Sequence, residues 1–439
     1  MKSSLNERIG LRQRPLLAFA ALIGLAVLLT CLAPRASVPM LLLLALSALP
    51  AALQGWQPDR ARFWSTLKDP LVASGLVLLG YLVLNSLWAL DPGAAVAKVA
   101  TVVLIAAASA LALYAANRLE SGPLYLGATL LVAAVAVGAV SVAIELATGQ
   151  MLTRLSYNLL PILRPSGSKD LFMSGDRVVA IAAYELNRNL ALLIMALWSA
   201  LLVVMRHPKI RQPRLLAGGL FILVAVTAFY SVHETSMIAI AVSGAVFLLS
   251  LYWSRAAQRG LMAVWCLGFI LAIPLGLFFY QSAGLHKAPW LPSTAQARVI
   301  IWGYTAERIV DNPLLGLGVR STRVLDQAQA AAAERPQGHV FARRTGRHAH
   351  NIFLQSWYEL GLVGAALVML FGIAVLRRIA TLPSGLQPYG HAVVSCVVVI
   401  ASLAWGMWQT WLLAGYALTA IYLLLAVRFA REQGGERAA

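Results

Sequence analysis

Residues 123–147, PLYLGATLLVAAVAVGAVSVAIELA, hold one charged side chain, Glu145, in 25 positions. About 20 apolar residues suffice for a helix to cross a bilayer, so this stretch reads as a membrane span. The same reading applied outward places spans at 15–33, 37–54, 70–90, 94–115, 180–205, 214–231, 234–252, 261–281, 350–376, 391–408 and 410–427, twelve in all. Over the 439 residues, 60% are hydrophobic and 12% charged, with a mean hydropathy of +0.76. A soluble domain carries about a quarter charged residues, so a soluble enzyme is excluded. The expected class is an all-α, polytopic protein of the bacterial inner membrane.

The chain carries 35 Lys and Arg against 17 Asp and Glu, a net charge of +18. Their placement points to membrane topology, with no sign of nucleic-acid binding. Clusters at 2–14, at Arg60/Arg62/Lys68, at 206–214, at Arg255/Arg259, at Arg377/Arg378 and at Arg428/Arg431/Arg437 all fall on one side if both termini are cytoplasmic. The basic N-terminus before a long apolar run reads as a retained anchor rather than a cleaved signal peptide. Cys31, Cys266 and Cys396 each lie in apolar runs without metal-ligand spacing.

Two segments on the opposite side break the pattern. Residues 148–179 and the start of the sixth span carry Arg154, Arg164, Lys169, Arg177 and Arg188, and residues 282–349 carry nine further basic residues. Long loops translocate regardless of charge. Their charge suggests a basic basin for an anionic ligand. Within 282–349, residues 295–310 read as an amphipathic helix ending at Asp311-Asn312-Pro313. Residues 321–334 read as a second helix capped by Ser321. Two such helices form a lid or vestibule. The chain thus divides into 1–281 with nine spans, 282–349 as an extramembrane loop, and 350–439 with three spans and a tail.

The run Arg347-His348-Ala349-His350-Asn351 opens the tenth span. His350 in the first turn of that helix is held neutral by the helix N-terminus and can accept a proton; the plainer reading is an interfacial histidine bonded to water. Asn351 can fix its tautomer or a substrate hydroxyl, and Gly361 and Gly364 permit close helix packing. Arg188, at membrane depth in YELNRNLALL, is a functional candidate, or else locks the helix by pairing with Glu185. Arg177 shares its face if the helix continues. Arg298 offers a fork suited to a diphosphate, against a solvated helix face as the alternative. Arg320, Arg323, Arg343 and Arg344 are weaker candidates of the same kind. His233-Glu234 can pair with a buried arginine. No Walker loop, GxGxxG or GxSxG motif is present, and the first outer loops lack paired carboxylates, so transfer chemistry here is expected to need neither metal nor cofactor.

His350-Asn351, nine residues, then GLVG at 361–364 resembles the signature of the O-antigen ligase group in the O-antigen ligase/polymerase superfamily. RVIIWGYTAERIVDNPLLGLG (298–318) resembles the superfamily's stretch of an arginine followed by a tryptophan and a Pro-Leu-Leu-Gly-x-Gly turn. The local resemblance covers about 70 residues. It implies transfer of O-antigen polysaccharide from undecaprenyl diphosphate to the lipid A–core oligosaccharide at the periplasmic face. His350 then matches the essential histidine, Arg298 the loop arginine and Arg188 the arginine of the sixth span. Arg177, His348, Asn351, Arg347, Arg320 and Arg323 are substrate-binding candidates, the loop arginines for the phosphorylated core. Where relatives commonly carry a Ser-Arg pair, this chain has YSVHETS (230–236). The alternatives are an O-antigen polymerase using the same donor, a protein O-oligosaccharyltransferase, and a flippase for lipid-linked glycan. A flippase calls for charge along the whole pathway, whereas here it gathers at one face.

Overall fold

The computed structural model describes residues 2–54, 60–165, 170–330, 334 and 342–436. Lys169, Arg335 and Arg437 fall outside them, as do the side chains of the basic N-terminal residues and of Arg60 and Arg62. Apart from one short hairpin, the described residues form an all-α membrane protein. Its helices are α1 (Lys2–Leu32), α2 (Ser37–Gln54), α3 (Arg60–Leu67), α4 (Pro70–Asn85), α5 (Pro92–Ala116), α6 (Ser121–Ala147), α7 (Met151–Leu159), α8 (Asn187–Arg206), α9 (Pro213–Tyr230) and α10 (Glu234–Leu277). They continue with α11 (Ser293–Ile309), α12 (Ser321–Gln329), α13 (Ile352–Ala380), α14 (Gln387–Leu403) and α15 (Thr410–Glu436).

Among the described residues nine helices are long and apolar enough to cross a membrane, and Leu16–Leu32 and Gln387–Leu403 are shorter apolar helices. α10 runs for 44 residues, about 66 Å at helical rise and twice a bilayer's hydrocarbon core. It bends at Trp253, where the backbone leaves helical geometry (φ −133°, ψ 60°), and so covers the two spans expected at 234–252 and 261–281. Asp-Pro pairs start α4 and α5: the Asp69 and Asp91 carboxylates accept from Leu71 N (2.9 Å) and Ala94 N (2.9 Å), and the prolines fill positions whose N–H has no partner.

α8 is the axis of the bundle. Every residue from Leu190 to Val204 is buried, among α1, α6, α9, α14 and α15. A helix apolar on all sides and enclosed on all sides belongs in a core. A second cluster joins α4, α5, α10, α11 and α13 around Trp265, Phe269, Phe353 and Leu360.

Three expectations are corrected. Residues 148–186 are not a loop running into a long sixth helix. They form α7 and an antiparallel hairpin of β1 (Leu171–Ser174) and β2 (Arg177–Ile181), turning at Gly175, and α8 starts only at Asn187. Arg177 therefore stands exposed on a strand and shares no helix face with Arg188. As expected, the last two spans are separate helices, divided by a non-helical turn at 404–409. The second loop helix is capped at Arg320, in the left-handed region (φ 67°), not at Ser321; the Ser321 hydroxyl donates back to Leu317 O (2.7 Å).

α13 is broken at Gly361 (φ 65°, ψ −170°). The turn Pro313–Gly318 enters the break and pairs with it as backbone to backbone. Leu362 N donates to Pro313 O (2.8 Å) and Val363 N to Leu314 O (3.2 Å), while Leu317 N donates to Tyr358 O (3.1 Å) and Gly318 N to Glu359 O (2.8 Å). Tyr81 Oη donates to the freed Leu360 carbonyl at 2.6 Å. Both glycines are required: a Cβ on Gly361 lies 2.4 Å from the Leu314 carbonyl, and one on Gly316 lies 2.5 Å from that of Glu359. Gly361 thus makes the break instead of smoothing a helix–helix contact; Gly364 does abut Tyr81 of α4.

Gly361→Ala places a methyl in a backbone region essentially closed to other residues, at about 1–3 kcal/mol before any clash. It lowers the Tm of the detergent-solubilised protein by several degrees, whereas Gly80→Ala, in open space on α4, does not. Thermal unfolding followed by size-exclusion chromatography reads both.

Candidate functional site

The residues preceding α13 gather the chemistry. Asn351 is the N-cap of α13, its Oδ1 accepting from Phe353 N (2.9 Å) and Leu354 N (3.1 Å). Its Oδ1 is spent on the helix start. His350 lies one residue before the cap, in the left-handed region (φ 52°), and not in the first helical turn. Its Nδ1–H donates to the carbonyl of Ala404, the residue that ends α14. That bond places the ring proton on Nδ1 and leaves the Nε2 lone pair available.

His348 and His350 meet edge to face with ring centroids 4.0 Å apart. The His348 ring lies against Gly406, where a Cβ would come within 2.4 Å of its own. The intervening Ala349 is buried, and its carbonyl accepts from Trp302 Nε1 of α11 at 2.9 Å. Burial pushes the His350 imidazole down to about 3, helped by His348 and Arg298. Burial, then Arg347 and Arg298, brings His348 to about 4. Both rings are neutral at physiological pH, through desolvation and neighbouring positive charge rather than the helix N-terminus.

Arg298, on the second turn of α11, is largely buried and stands 3.6 Å from the Glu234 carboxylate at the start of α10. Glu234 also accepts from Thr294 Oγ1 (2.7 Å). Beside it, His233 hydrogen bonds through Nδ1 to Ser236 Oγ (2.6 Å) and packs on Trp405, centroids 5.0 Å apart. Burial and Arg298 push His233 down to about 3. Three neutral histidines therefore gather around one loosely paired guanidinium.

The other candidates are distributed around this cluster. Arg188, in the first turn of α8, is paired with Glu185 at 3.1 Å. Among the described residues no hydrogen bond or ion pair joins it to Arg298 or His350. Asn189 beside it donates to Cys31 O (3.0 Å) and Leu32 O (2.8 Å), tying this end of α8 to α1. Arg347 is exposed next to His348. Arg320 donates its backbone N–H to Glu359 Oε2 (2.6 Å) and its guanidinium to Ala94 O (3.5 Å). Arg323 is exposed one turn along α12. Arg343 and Arg344 are paired with Glu307 (2.6 Å) and Asp326 (3.2 Å). Arg177 is on the hairpin.

Sequence reasoning passed over the support beneath the histidines. Glu359 of α13, fully buried, accepts from Arg320 N, Thr322 N (3.3 Å), Gln355 Nε2 (3.0 Å) and Trp408 Nε1. Gln355 Oε1 accepts from Met407 N (3.1 Å). The turn that supplies Ala404 and Gly406 is thereby fastened to α13. A buried acid nine residues after His350, in an apolar helix, was the available signal.

Residues 219–369, from α9 through the broken helix α13, match the family described as O-antigen ligase. Three rickettsial proteins with the name "Putative polysaccharide ligase" are similar to the chain. The one from Rickettsia conorii is 23% identical over 264 residues, 60% of this chain and 62% of its own. The Rickettsia felis protein is 24% identical over 58% of this chain and 62% of its own, and the Rickettsia typhi protein 23% over 56% and 58%. The chain therefore spans about three fifths of the length of the curated relatives it matches. Arg298, both histidines of the 348–350 pair and the Gly361 break all lie inside the region that is similar to the O-antigen ligase family.

Proposed function

We propose that this protein is a metal-independent, inverting glycosyltransferase. It moves O-antigen polysaccharide from undecaprenyl diphosphate to the lipid A–core, at the periplasmic face of the inner membrane. The observation that carries the reading is His350: a neutral imidazole, its proton held on Nδ1 by Ala404 O, with Nε2 free beside Arg298. The family match and the polysaccharide ligase names support a polysaccharide substrate and a lipid-linked partner. The distribution of Lys and Arg supports cytoplasmic termini and a periplasmic loop at 282–349.

In this mechanism His350 Nε2 takes the proton of the acceptor hydroxyl as its oxygen attacks the anomeric carbon from the face opposite the diphosphate. The bond between that carbon and the diphosphate oxygen breaks, and its electron pair leaves with undecaprenyl diphosphate. Arg298 trades its 3.6 Å contact with Glu234 for a bidentate grip on the departing diphosphate. Arg188 serves the same anion from the start of α8, and Arg347, Arg320 and Arg323 hold acceptor phosphates. An arriving diphosphate also reverses the local field. The positive charge that lowers His350 is offset as substrate binds, and the imidazole gains basicity when it is needed.

Purified protein given undecaprenyl-diphosphate glycan and lipid A–core, with EDTA present, yields glycosylated lipid A. Lengthening of the lipid-linked glycan instead establishes a polymerase, and loss of activity with EDTA overturns the metal-independent mechanism. His350→Ala lowers turnover about 10²–10⁴-fold. Arg298→Ala lowers it about 10²–10³-fold.

The pH dependence follows from the depressed histidine. His350 must be neutral to act, and its free-enzyme value of about 3 lies below the ordinary value of about 6.5. The kcat/KM profile therefore stays level from pH 8 down through 6.5. An acid limb centred near 6.5 that disappears in the His350 variants contradicts this.

A further inference from the structure

α7 and the short turn after it are fastened on one side and bare on the other. Glu145, at the end of α6, accepts from Leu152 N (3.0 Å), Thr153 N (2.8 Å) and Thr153 Oγ1, fixing the first turn of α7 directly beneath a membrane span. Gln150 donates to Ala182 O (3.0 Å). Arg154 spends its guanidinium on Val179 O (2.9 Å) and Thr148 O (3.0 Å), and Arg164 spends its own on Tyr157 O and Asp176 O, both at 2.8 Å. Asn158 and Val178 exchange a reciprocal pair of hydrogen bonds with the hairpin, 3.0 and 2.8 Å. Apart from the buried Arg154 Nε, these polar groups find their partners within the protein.

The opposite face is apolar and uncovered. Met151, Leu155 and Leu159 recur every four residues, and Leu160, Ile162 and Leu163 continue the surface; Ile162 is 92% exposed and Leu159 69%. A contiguous apolar surface of this kind is not stable in water. It is attached three residues after one span ends and returns through the hairpin to the start of α8, so it lies at the level where the bundle meets the membrane surface.

We infer that residues 151–163 form an interfacial element that docks on lipid, lying in the membrane plane with Leu155, Leu159 and Ile162 among the upper acyl chains. The occupant is the bilayer itself. An amphipathic helix in this position buries its apolar face about 5–10 Å into the boundary between headgroups and chains. The docked element fixes the height of the Glu185–Arg188 pair above the membrane, because Gln150 and Arg154 tie α7 to the strand and turn that lead into α8.

The test is a depth measurement on full-length protein reconstituted in phosphatidylcholine/phosphatidylglycerol vesicles, independent of any activity. Ile162→Cys, Leu155→Cys and, as an exposed extramembrane reference on α12, Gln327→Cys are made in a Cys266→Ser background and labelled with bimane; Cys31 and Cys396 are buried. Docking predicts that doxyl groups on the upper acyl chain quench the labels at 162 and 155 several-fold more than the label at 327, with aqueous iodide showing the reverse order. Iodide quenching at 162 and 155 equal to that at 327, without lipid quenching, overturns the inference. Protection of 162 and 155 from both quenchers also overturns it, since a second copy of the chain then covers the face.

Discussion

The broken helix α13 is governed by one constraint: main-chain N–H and C=O groups inside a membrane protein must find partners there, at several kcal/mol for each that does not. Gly361 turns the chain out of helical geometry and interrupts the ladder. The turn Pro313–Gly318 restores it with four backbone hydrogen bonds, and Tyr81 supplies a fifth. The extramembrane helices α11 and α12 flank that turn, so they are fixed to the bundle through main chain rather than by apolar packing alone. Arg298 on α11 owes its register against His350 to this joint.

Glu359 extends the same logic to side chains. A fully buried carboxylate is tolerated because its oxygens accept from two backbone amides, an amide side chain and an indole. Those donors come from α12, from α13 itself and from the 404–409 turn, so one acid holds three segments together. The turn it secures presents Ala404 to His350 and Gly406 to His348. The candidate site is therefore held by main chain and a buried acid on the side that orients the histidines, with Arg298 on the other.

The spans were legible because hydropathy over twenty residues is a strong, local signal; even the α10 bend falls between two spans that the basic pair Arg255/Arg259 separates. The hairpin at 171–181 was not, since strands of four and five residues leave too short an alternation to read. At the site, His350, Arg298 and the Arg188–Glu185 pair could be picked from residue type and depth. The capping role of Asn351 was missed because an asparagine before an apolar run serves equally as cap or ligand until the first turn is located. Glu359 needed only more weight on buried charge. Ala404 had no signal at all: a carbonyl is present at every position, and only the fold decides which one meets a histidine.

That choice of partner has a consequence for variation. In many sites a carboxylate orients the histidine, and one substitution can remove it. Here the orienting group belongs to the backbone where α14 ends, so no single side-chain exchange at residue 404 deletes it. Natural drift and mutagenic screens can reach the imidazole itself, or the packing that aims the helix end, but not the acceptor. The tautomer is in this sense encoded by the path of the chain, and a library of point variants will register His350 while leaving its partner unseen.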